Sequence, residues 1–196
     1  MSYIGVLLTF VFVNNFVFIE FLGLCPALDG SRKTSRALPV GFWMSFLMTF
    51  SAAGAWLAHH YLLVPLGLGF LQTFVFLLIV VGLARGTEEL AERFLPGLHG
   101  VLRSYGTFVS SNCAVLGIAL LVARAEYRFL ESVVAGLAAG IGIVLAMLLL
   151  ATMREKLDRE SVPRAFRGMP ITFISTGLAA MAFLAFDRAL LANLVG

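Results

Sequence analysis

The sequence predicts an all-α integral membrane protein whose six transmembrane helices form an inverted repeat of three and three. The first observation is composition: 60% of the 196 residues are hydrophobic, only 13% are charged, and mean hydropathy is +0.97. Soluble domains are about half apolar and about one quarter charged. The second observation is six separate apolar stretches, each close to the ~20 residues that cross a bilayer. The third is a strong bias of basic residues toward alternate loops, which is typical of membrane proteins.

The six spans follow one another with short connections, and we treat residues 1–196 as a single membrane domain. They are predicted at about 3–24, 38–58, 66–84, 104–123, 131–152 and 170–190. No basic residue precedes the first span and no clear small-residue cleavage site follows it. This pattern favours a retained helix over a signal peptide.

The basic residues predict the orientation of the spans. Eleven lie in the first, third and fifth loops: Arg32, Lys33, Arg36, Arg85, Arg93, Arg103, Arg154, Lys156, Arg159, Arg164 and Arg167. The other three, Arg124, Arg128 and Arg188, lie in the fourth loop and the tail. Because cytoplasmic loops carry the excess of Lys and Arg, the odd loops are predicted to be cytoplasmic and both termini outside.

Six spans divide into halves of about 1–98 and 99–196, and an odd number of spans per half gives the halves opposite orientations. Weak internal similarity supports the division: Gln72-Thr73-Phe74-Val75 in the third span is echoed by Ile171-Thr172-Phe173-Ile174 in the sixth. The first span of each half also carries one cysteine. This pattern predicts an inverted repeat with a site at the repeat interface.

The two cysteines, Cys25 and Cys113, are the main candidates for chemistry. Pro26 should end or bend a helix at Cys25, and Ser110, Ser111 and Asn112 place polar groups before Cys113 where lipid offers no partner. Three interpretations stay open from the residues alone: two buried, inert cysteines, a metal or cluster site, or a disulfide.

The depth of the two thiols depends on the first helix. Cys113 is predicted near the middle of the fourth span, whereas Cys25 lies at the cytoplasmic end of the first if that helix is continuous. The two thiols meet only if the first helix is broken, for which Asn14-Asn15 and Gly23 with Pro26 are the candidate positions.

Other residues offer weaker signals, and several function classes find no support. The chain has no phosphate-binding loop, zinc-protease helix or nucleophile elbow, and the net charge of +3 is explained by topology, so no nucleic-acid partner is expected. His59, His60 and His99 are predicted in loops, which disfavours a membrane haem; His59-His60 is an interfacial pair or an outer metal site. Glu88, at the end of the third span, is either part of an acidic interfacial face or an acid at the mouth of an ion path.

Several short motifs match one known family in order and spacing. They are Val13-Asn14-Asn15-Phe16-Val17, Phe21-Leu22-Gly23-Leu24-Cys25-Pro26, Asn112 through Gly117, Arg154-Glu155-Lys156-Leu157 and Val162-Pro163 through Gly168. The chain thereby resembles, over essentially its whole length, the A-type membrane subunits of the Rnf electron-transport complexes. These share a scaffold with the D-type and E-type subunits of the sodium-pumping NADH:quinone reductase.

The resemblance implies a subunit of an ion-translocating ferredoxin:NAD oxidoreductase in the bacterial inner membrane. It implies that Cys25 and Cys113 provide two ligands to an intramembrane [2Fe–2S] cluster, with two more from the homologous E-type Rnf subunit of opposite topology. The B-type, C-type, D-type and G-type Rnf subunits are the other implied partners, coupling is to Na+ or H+, and Glu88 matches an acid of the related pump's ion path. The alternatives are a small six-helix secondary transporter with an inverted repeat and a structural membrane anchor.

Overall fold

The computed structural model describes residues 5, 7, 9–13, 15–24, 34–67, 69–94, 112–125, 127–157, 163 and 168–195, and their regular structure is helical throughout. The longer helices are α1 (Thr34–Ala58), α2 (Gln72–Phe94), α3 (Cys113–Arg124), α4 (Phe129–Leu157) and α5 (Met169–Val195). Short elements are π-helical turns at Thr9–Val13 and His59–Leu63, an α-helical turn at Val64–Leu66 and a 3-10 turn at Gly69–Leu71.

Several of these helices suit a bilayer. By length and composition, three in the described part of the chain could cross one: Ala37–Leu63, Gly69–Glu89 and Phe129–Leu157. Cys113–Arg124 and Met169–Ala185 are apolar but shorter. The prediction of an all-α fold with membrane-spanning helices is therefore confirmed, whereas the count of six spans, the inverted repeat and the position of the termini stay predictions.

Helices α1 and α4 pack against each other at the centre of the fold. A Cβ atom on Gly136 would lie 2.9 Å from the Cβ of Ala52 and 2.9 Å from the backbone oxygen of Met48. One on Gly140 would lie 2.5 Å from the Cα of Ser45. Real Cβ atoms do not approach neighbours this closely, so the missing side chains let the two backbones meet, as small residues do between membrane helices.

Helix α2 lies at the edge of the bundle. Phe76, Val80 and Ala84 form a buried stripe at intervals of four residues, which is the spacing of one helix face. Large apolar side chains cover other parts of its surface and are exposed: Phe74, Leu77, Leu78 and Val81. These exposed side chains are suited to lipid or to another membrane subunit.

The structure corrects one sequence-based expectation and adds detail to two others. His59 and His60 are predicted in a loop, but they begin a π-helical turn that continues α1; His99 lies outside the described residues. The third span is predicted at about 66–84, and α2, which contains most of it, continues beyond it to Phe94. Cys113, predicted near the middle of the fourth span, is the first residue of α3; residues 95–111 are not described, and the depth of the thiol stays a prediction.

Candidate functional site

The first apolar span is not a continuous helix. Its described part includes helical residues Gly5 and Leu7 and the π-helical turn Thr9–Val13, followed by irregular turns over residues 15–23. Asn15 lies at the break and is completely buried. The break thus occurs at one of the positions that the sequence indicates.

Asn15 holds the broken chain through its side-chain amide. Its Nδ2 donates to the backbone oxygens of Val11 and Gly142, each at 3.1 Å. Its Oδ1 accepts from the backbone N–H groups of Val17 at 3.0 Å and Phe18 at 3.4 Å. Backbone groups freed by a break in a membrane helix must find partners inside the protein, and this single side chain satisfies several of them.

Asn15→Leu should therefore destabilise the fold strongly. Leu has a similar size but leaves the Gly142 oxygen and the Val17 N–H without these partners, at about 1–3 kcal/mol for each buried group. The measurement is the midpoint of thermal unfolding of the purified chain in mild detergent. The control is Thr152→Val, which removes an exposed hydroxyl bonded to Leu149 of its own helix and should change the midpoint little. Equal midpoints for both variants would contradict the role of Asn15.

After the break, the chain turns onto α3. Phe16 and Leu22 lie against Gly117, where an added Cβ would come within 3.2 Å of each side chain. Phe21 and Gly23 have positive φ angles of 54° and 79°. That conformation is uncommon for Phe and easy for Gly. A Cβ on Gly23 would also lie 3.1 Å from the Cβ of Ala114, so Gly23 permits both the turn and the close contact with α3.

Cys113 lies where this turn meets the start of α3. The backbone N–H of Gly23 donates to the Sγ of Cys113 at 3.1 Å. The side chain of Cys113 is exposed on the surface of the chain, and its sulfur is a free thiol. The sulfur thus receives a backbone donor at the point where the two chain segments meet.

Asn112 fixes the start of α3 beside the thiol. Its backbone is extended, and its Oδ1 accepts from the N–H of Ala114 at 3.0 Å as an N-cap. Its Nδ2 lies 3.1 Å from the Sδ of Met44 on α1. Asn112 is buried. The amide thus ties the residue before Cys113 both to α3 and to the central helix α1.

The structure brings the two cysteine-containing stretches together as far as it describes them. Gly23 of the first stretch contacts Cys113 of the second, although 90 residues separate them. Cys25 itself lies outside the described residues, as do Ser110 and Ser111. Within the described ranges, no group of three or more His, Cys, Asp or Glu side chains is arranged to hold a metal ion.

Glu88 lies on α2 with its side chain 22% exposed, and its Oε2 is 3.8 Å from Nη1 of Arg85, a much more exposed side chain. It follows Ala84 by four residues and so continues the buried stripe of α2 toward the end of the helix. The neighbouring Glu89 is exposed. Glu88 is therefore turned toward the bundle, whereas Glu89 is not.

Sequence reasoning misses two contributors to this site. Met44 of α1 contacts the side-chain amide of Asn112, the residue before Cys113, through its Sδ. Gly142 supplies a backbone oxygen to Asn15 from 127 residues away. A backbone oxygen can belong to any residue type, so the sequence does not show which one Asn15 contacts. The only sign in the sequence is that residue 142 is a glycine. In the structure, a Cβ at this position would lie 3.0 Å from the backbone oxygen of Phe10.

Comparison with known proteins gives a consistent result over nearly the whole chain. Residues 3–190 match the family described as "Rnf-Nqr subunit, membrane protein". The chain is 39% identical over 187 residues to the A-type subunit of the Na+-translocating ferredoxin:NAD+ oxidoreductase complex of Acetobacterium woodii, covering 95% of this chain and 97% of that protein. It is 39% identical to the A-type subunit of the ion-translocating oxidoreductase complex of Tolumonas auensis, with coverage of 95% and 96%. The corresponding protein of Aromatoleum aromaticum is 40% identical, with coverage of 93% and 95%.

Proposed function

The chain belongs to the Rnf-Nqr family of membrane subunits, and from this membership we propose that it is the A-type subunit of an ion-translocating ferredoxin:NAD oxidoreductase. In this role it is one component of a multi-subunit enzyme in the bacterial inner membrane. The observation that carries the proposal is the similarity to A-type subunits of such complexes over 95% of the chain. Electron transfer coupled to Na+ or H+ movement is the activity that follows.

The proposed cofactor is a [2Fe–2S] cluster with Cys25 and Cys113 as two of its four ligands. Such clusters are held by four thiolates in most proteins. The chain contains only two cysteines, so a partner has to supply the others. The exposed Sγ of Cys113 suits a ligand shared across a subunit interface, and Cys25 follows Gly23, which contacts that sulfur, by two residues. When bound, the cluster supplies a one-electron carrier within the membrane.

Residues around Cys113 would stabilise and position its thiolate. The Gly23 N–H donates to the sulfur, and the start of α3 adds the positive end of a helix dipole. Asn112 caps α3 and contacts Met44, which holds the sulfur at a fixed place relative to α1. A thiolate in apolar surroundings needs such donors because lipid provides none.

The proposed partner at this cluster is the homologous E-type Rnf subunit, related to this chain by pseudo-symmetry. The B-type, C-type, D-type and G-type Rnf subunits complete the proposed complex. An inverted repeat of 1–98 and 99–196 with both termini outside would let the E-type partner present the same surface in the opposite orientation. The direct packing of α1 on α4 supports this arrangement, since these are the second spans of the two predicted halves.

Contacts at one end of the bundle agree with the predicted placement of two loops on the same side of the membrane. Trp56 of α1 donates from Nε1 to the backbone oxygen of Tyr127 at 2.7 Å, and its ring contacts Phe129. The second and fourth predicted loops are therefore neighbours, and which side they occupy is tested by reporter fusions. Reporter fusions after Gly30, Pro96 and Arg159 should give cytoplasmic activity, and a fusion after His60 should give outer activity. A cytoplasmic signal after His60 together with one at the C-terminus would overturn the orientation.

Glu88 is proposed as an acid of the ion path. It faces the bundle at the end of an apolar stripe, and a partly buried carboxylate among membrane helices is a candidate for cation passage. Arg85, its neighbour at 3.8 Å, is a surface partner that would release it readily.

Glu88→Gln should slow ion-coupled turnover severalfold and leave the iron content of the complex unchanged, because Gln keeps the shape but removes the charge. Glu89→Gln is the matched control, since that side chain is exposed one residue further along α2. The assay is ion uptake driven by ferredoxin oxidation in vesicles that contain the complex. Identical rates for both variants would assign Glu88 to the helix surface.

The function itself is tested by isolating the assembly through a tag on this chain. We expect other Rnf subunits to co-purify and reduction to develop an EPR signal absent from complexes that lack this chain. The alternative function, a small six-helix secondary transporter, predicts that the chain purifies without iron and without these subunits. That result would reject the proposal.

A further inference from the structure

A cavity of about 360 Å3 lies at the end of the bundle where α1 and α3 finish and α4 begins. Trp56 forms one wall, fixed by its bond to Tyr127 and stacked on His60 with ring centroids 5.1 Å apart. The apolar segment Ala37–Leu63, which comprises most of α1 and the π-helical turn after it, ends here, and α4 starts at Phe129. The cavity is thus at the depth where lipid headgroups meet the ends of membrane helices.

The polar lining of the cavity is rich in hydrogen-bond donors. It comprises His59, His60, Tyr127 and the exposed Arg128. Burial raises the pKa of the Tyr127 hydroxyl above its usual value, and the Glu131 carboxylate raises it further. Glu131 is the nearby acid, and it accepts from the backbone N–H of Arg128 at 3.0 Å.

His59 is a further lining residue of the cavity. Its Nδ1 is buried and has no hydrogen-bond partner within the described residues. Because this atom has essentially no accessible surface, a molecule in the cavity does not reach it, and His59 contributes to the lining through the rest of its ring.

The remaining surface of the site is apolar. Val122 and Val64 line the cavity. Val64 is 60% exposed, and Tyr61, whose ring contacts Trp56 and His60, is 70% exposed. The volume is far more than a single water or ion needs and falls within the range of small-molecule sites. Hydrogen-bond donors within the cavity and exposed apolar side chains around it together suit a phosphate that is attached to acyl chains.

We propose that this cavity binds the phosphate headgroup of an anionic membrane phospholipid, with Arg128 as its charged contact. The guanidinium of Arg128 suits a phosphate oxygen pair, the histidines and Tyr127 add donors, and the acyl chains would lie along the exposed side chains of Val64 and Tyr61. The headgroup would occupy the space between the end of α1 and the connection from α3 to α4. This site is separate from the cysteines and does not rest on the proposed function.

The test uses Trp56 as the reporter in the full-length chain, purified in detergent. Trp43→Phe removes the other tryptophan and leaves Trp56 as the sole indole. Dihexanoyl-phosphatidylglycerol should change Trp56 emission saturably, and dihexanoyl-phosphatidylcholine should require at least about tenfold more. Arg128→Gln in the same background should raise the half-saturating concentration of dihexanoyl-phosphatidylglycerol about tenfold. Arg124→Gln, an exposed arginine that does not line the cavity, should leave it within about twofold.

Other outcomes would overturn the proposal. If inorganic phosphate saturated the change in Trp56 emission at the same concentration as dihexanoyl-phosphatidylglycerol, the cavity would be a site for free anions. Equal responses to both lipids would indicate apolar contact alone. No saturable response in the parent, or the same half-saturation in the Arg128 and Arg124 variants, would exclude a headgroup site at this cavity. Because Arg128 is exposed, its replacement should not disturb folding. A size-exclusion profile that matches the parent would show that the Arg128→Gln variant is folded.

Discussion

Complexes that carry Cys113→Ala should lose about two iron and two acid-labile sulfide per complex relative to the parent, together with the EPR signal of one [2Fe–2S] cluster. The thiol is exposed at the start of α3 with the Gly23 N–H on its sulfur, and no other described side chain near it offers a thiolate. Removing one of four ligands opens the coordination of an iron atom. The chain should still insert, because loss of this small side chain costs at most about 1–3 kcal/mol.

The matched control for Cys113→Ala is Ser51→Ala. It also replaces a small polar atom with hydrogen, on the neighbouring helix α1, where the Ser51 hydroxyl lies 3.4 Å from the Val115 backbone oxygen of α3. This control should keep full iron and sulfide. If Cys113→Ala kept both as well, Cys113 would be a packing residue and the shared cluster would be wrong. Cys25→Ala should behave like Cys113→Ala.

Gly140→Ala should disrupt the centre of the bundle. The new Cβ would lie 2.5 Å from the Cα of Ser45 and in direct conflict with its side chain. Because backbone atoms cannot move aside as a flexible side chain would, α1 and α4 must separate. Overpacking of this kind costs about 1–3 kcal/mol or more, and the thermal midpoint of the purified chain should fall by at least about 2 °C.

Gly177→Ala in α5 is the control for Gly140→Ala, since nothing lies within 4 Å of a Cβ at that position. Ala favours helix over Gly by about 1 kcal/mol, so this variant should be as stable as the parent or slightly more so. A Gly140→Ala midpoint equal to that of Gly177→Ala would mean that the two helices are farther apart than the structure shows.

The apolar stretches and the motifs around the cysteines predict the class of fold and the resemblance to A-type Rnf subunits, and both are confirmed. The predicted third span stops at residue 84, where the apolar stretch ends before Arg85, whereas its helix α2 continues to Phe94. A helix does not need apolar residues to continue, and Arg, Glu, Leu and Ala, which make up all of residues 88–93, are good helix formers. The single Gly86 costs only about 1 kcal/mol.

The detail of the site is harder to predict because it depends on backbone atoms. Asn15 is a visible candidate for a break, but its acceptor on Gly142 has no side chain to signal it. The donor to Cys113 is likewise a backbone N–H, that of Gly23. A residue pattern can show where polar side chains need partners, but it cannot show which distant carbonyl or amide provides them.

The Asn15–Gly142 bond sets an order of events during synthesis. Asn15 leaves the ribosome 127 residues before its partner, which at ~5–20 residues per second is a delay of about 6–25 s. Until α4 arrives, the amide of Asn15 has no access to the Gly142 oxygen, and the first segment lacks the contact that fixes its irregular form. We expect this segment to enter the membrane in another conformation, such as a plain helix, and to remodel only when α4 has been inserted. The turn that places Gly23 on Cys113 is therefore completed late, after translation has passed residue 142 and before the proposed partner subunit can bind there.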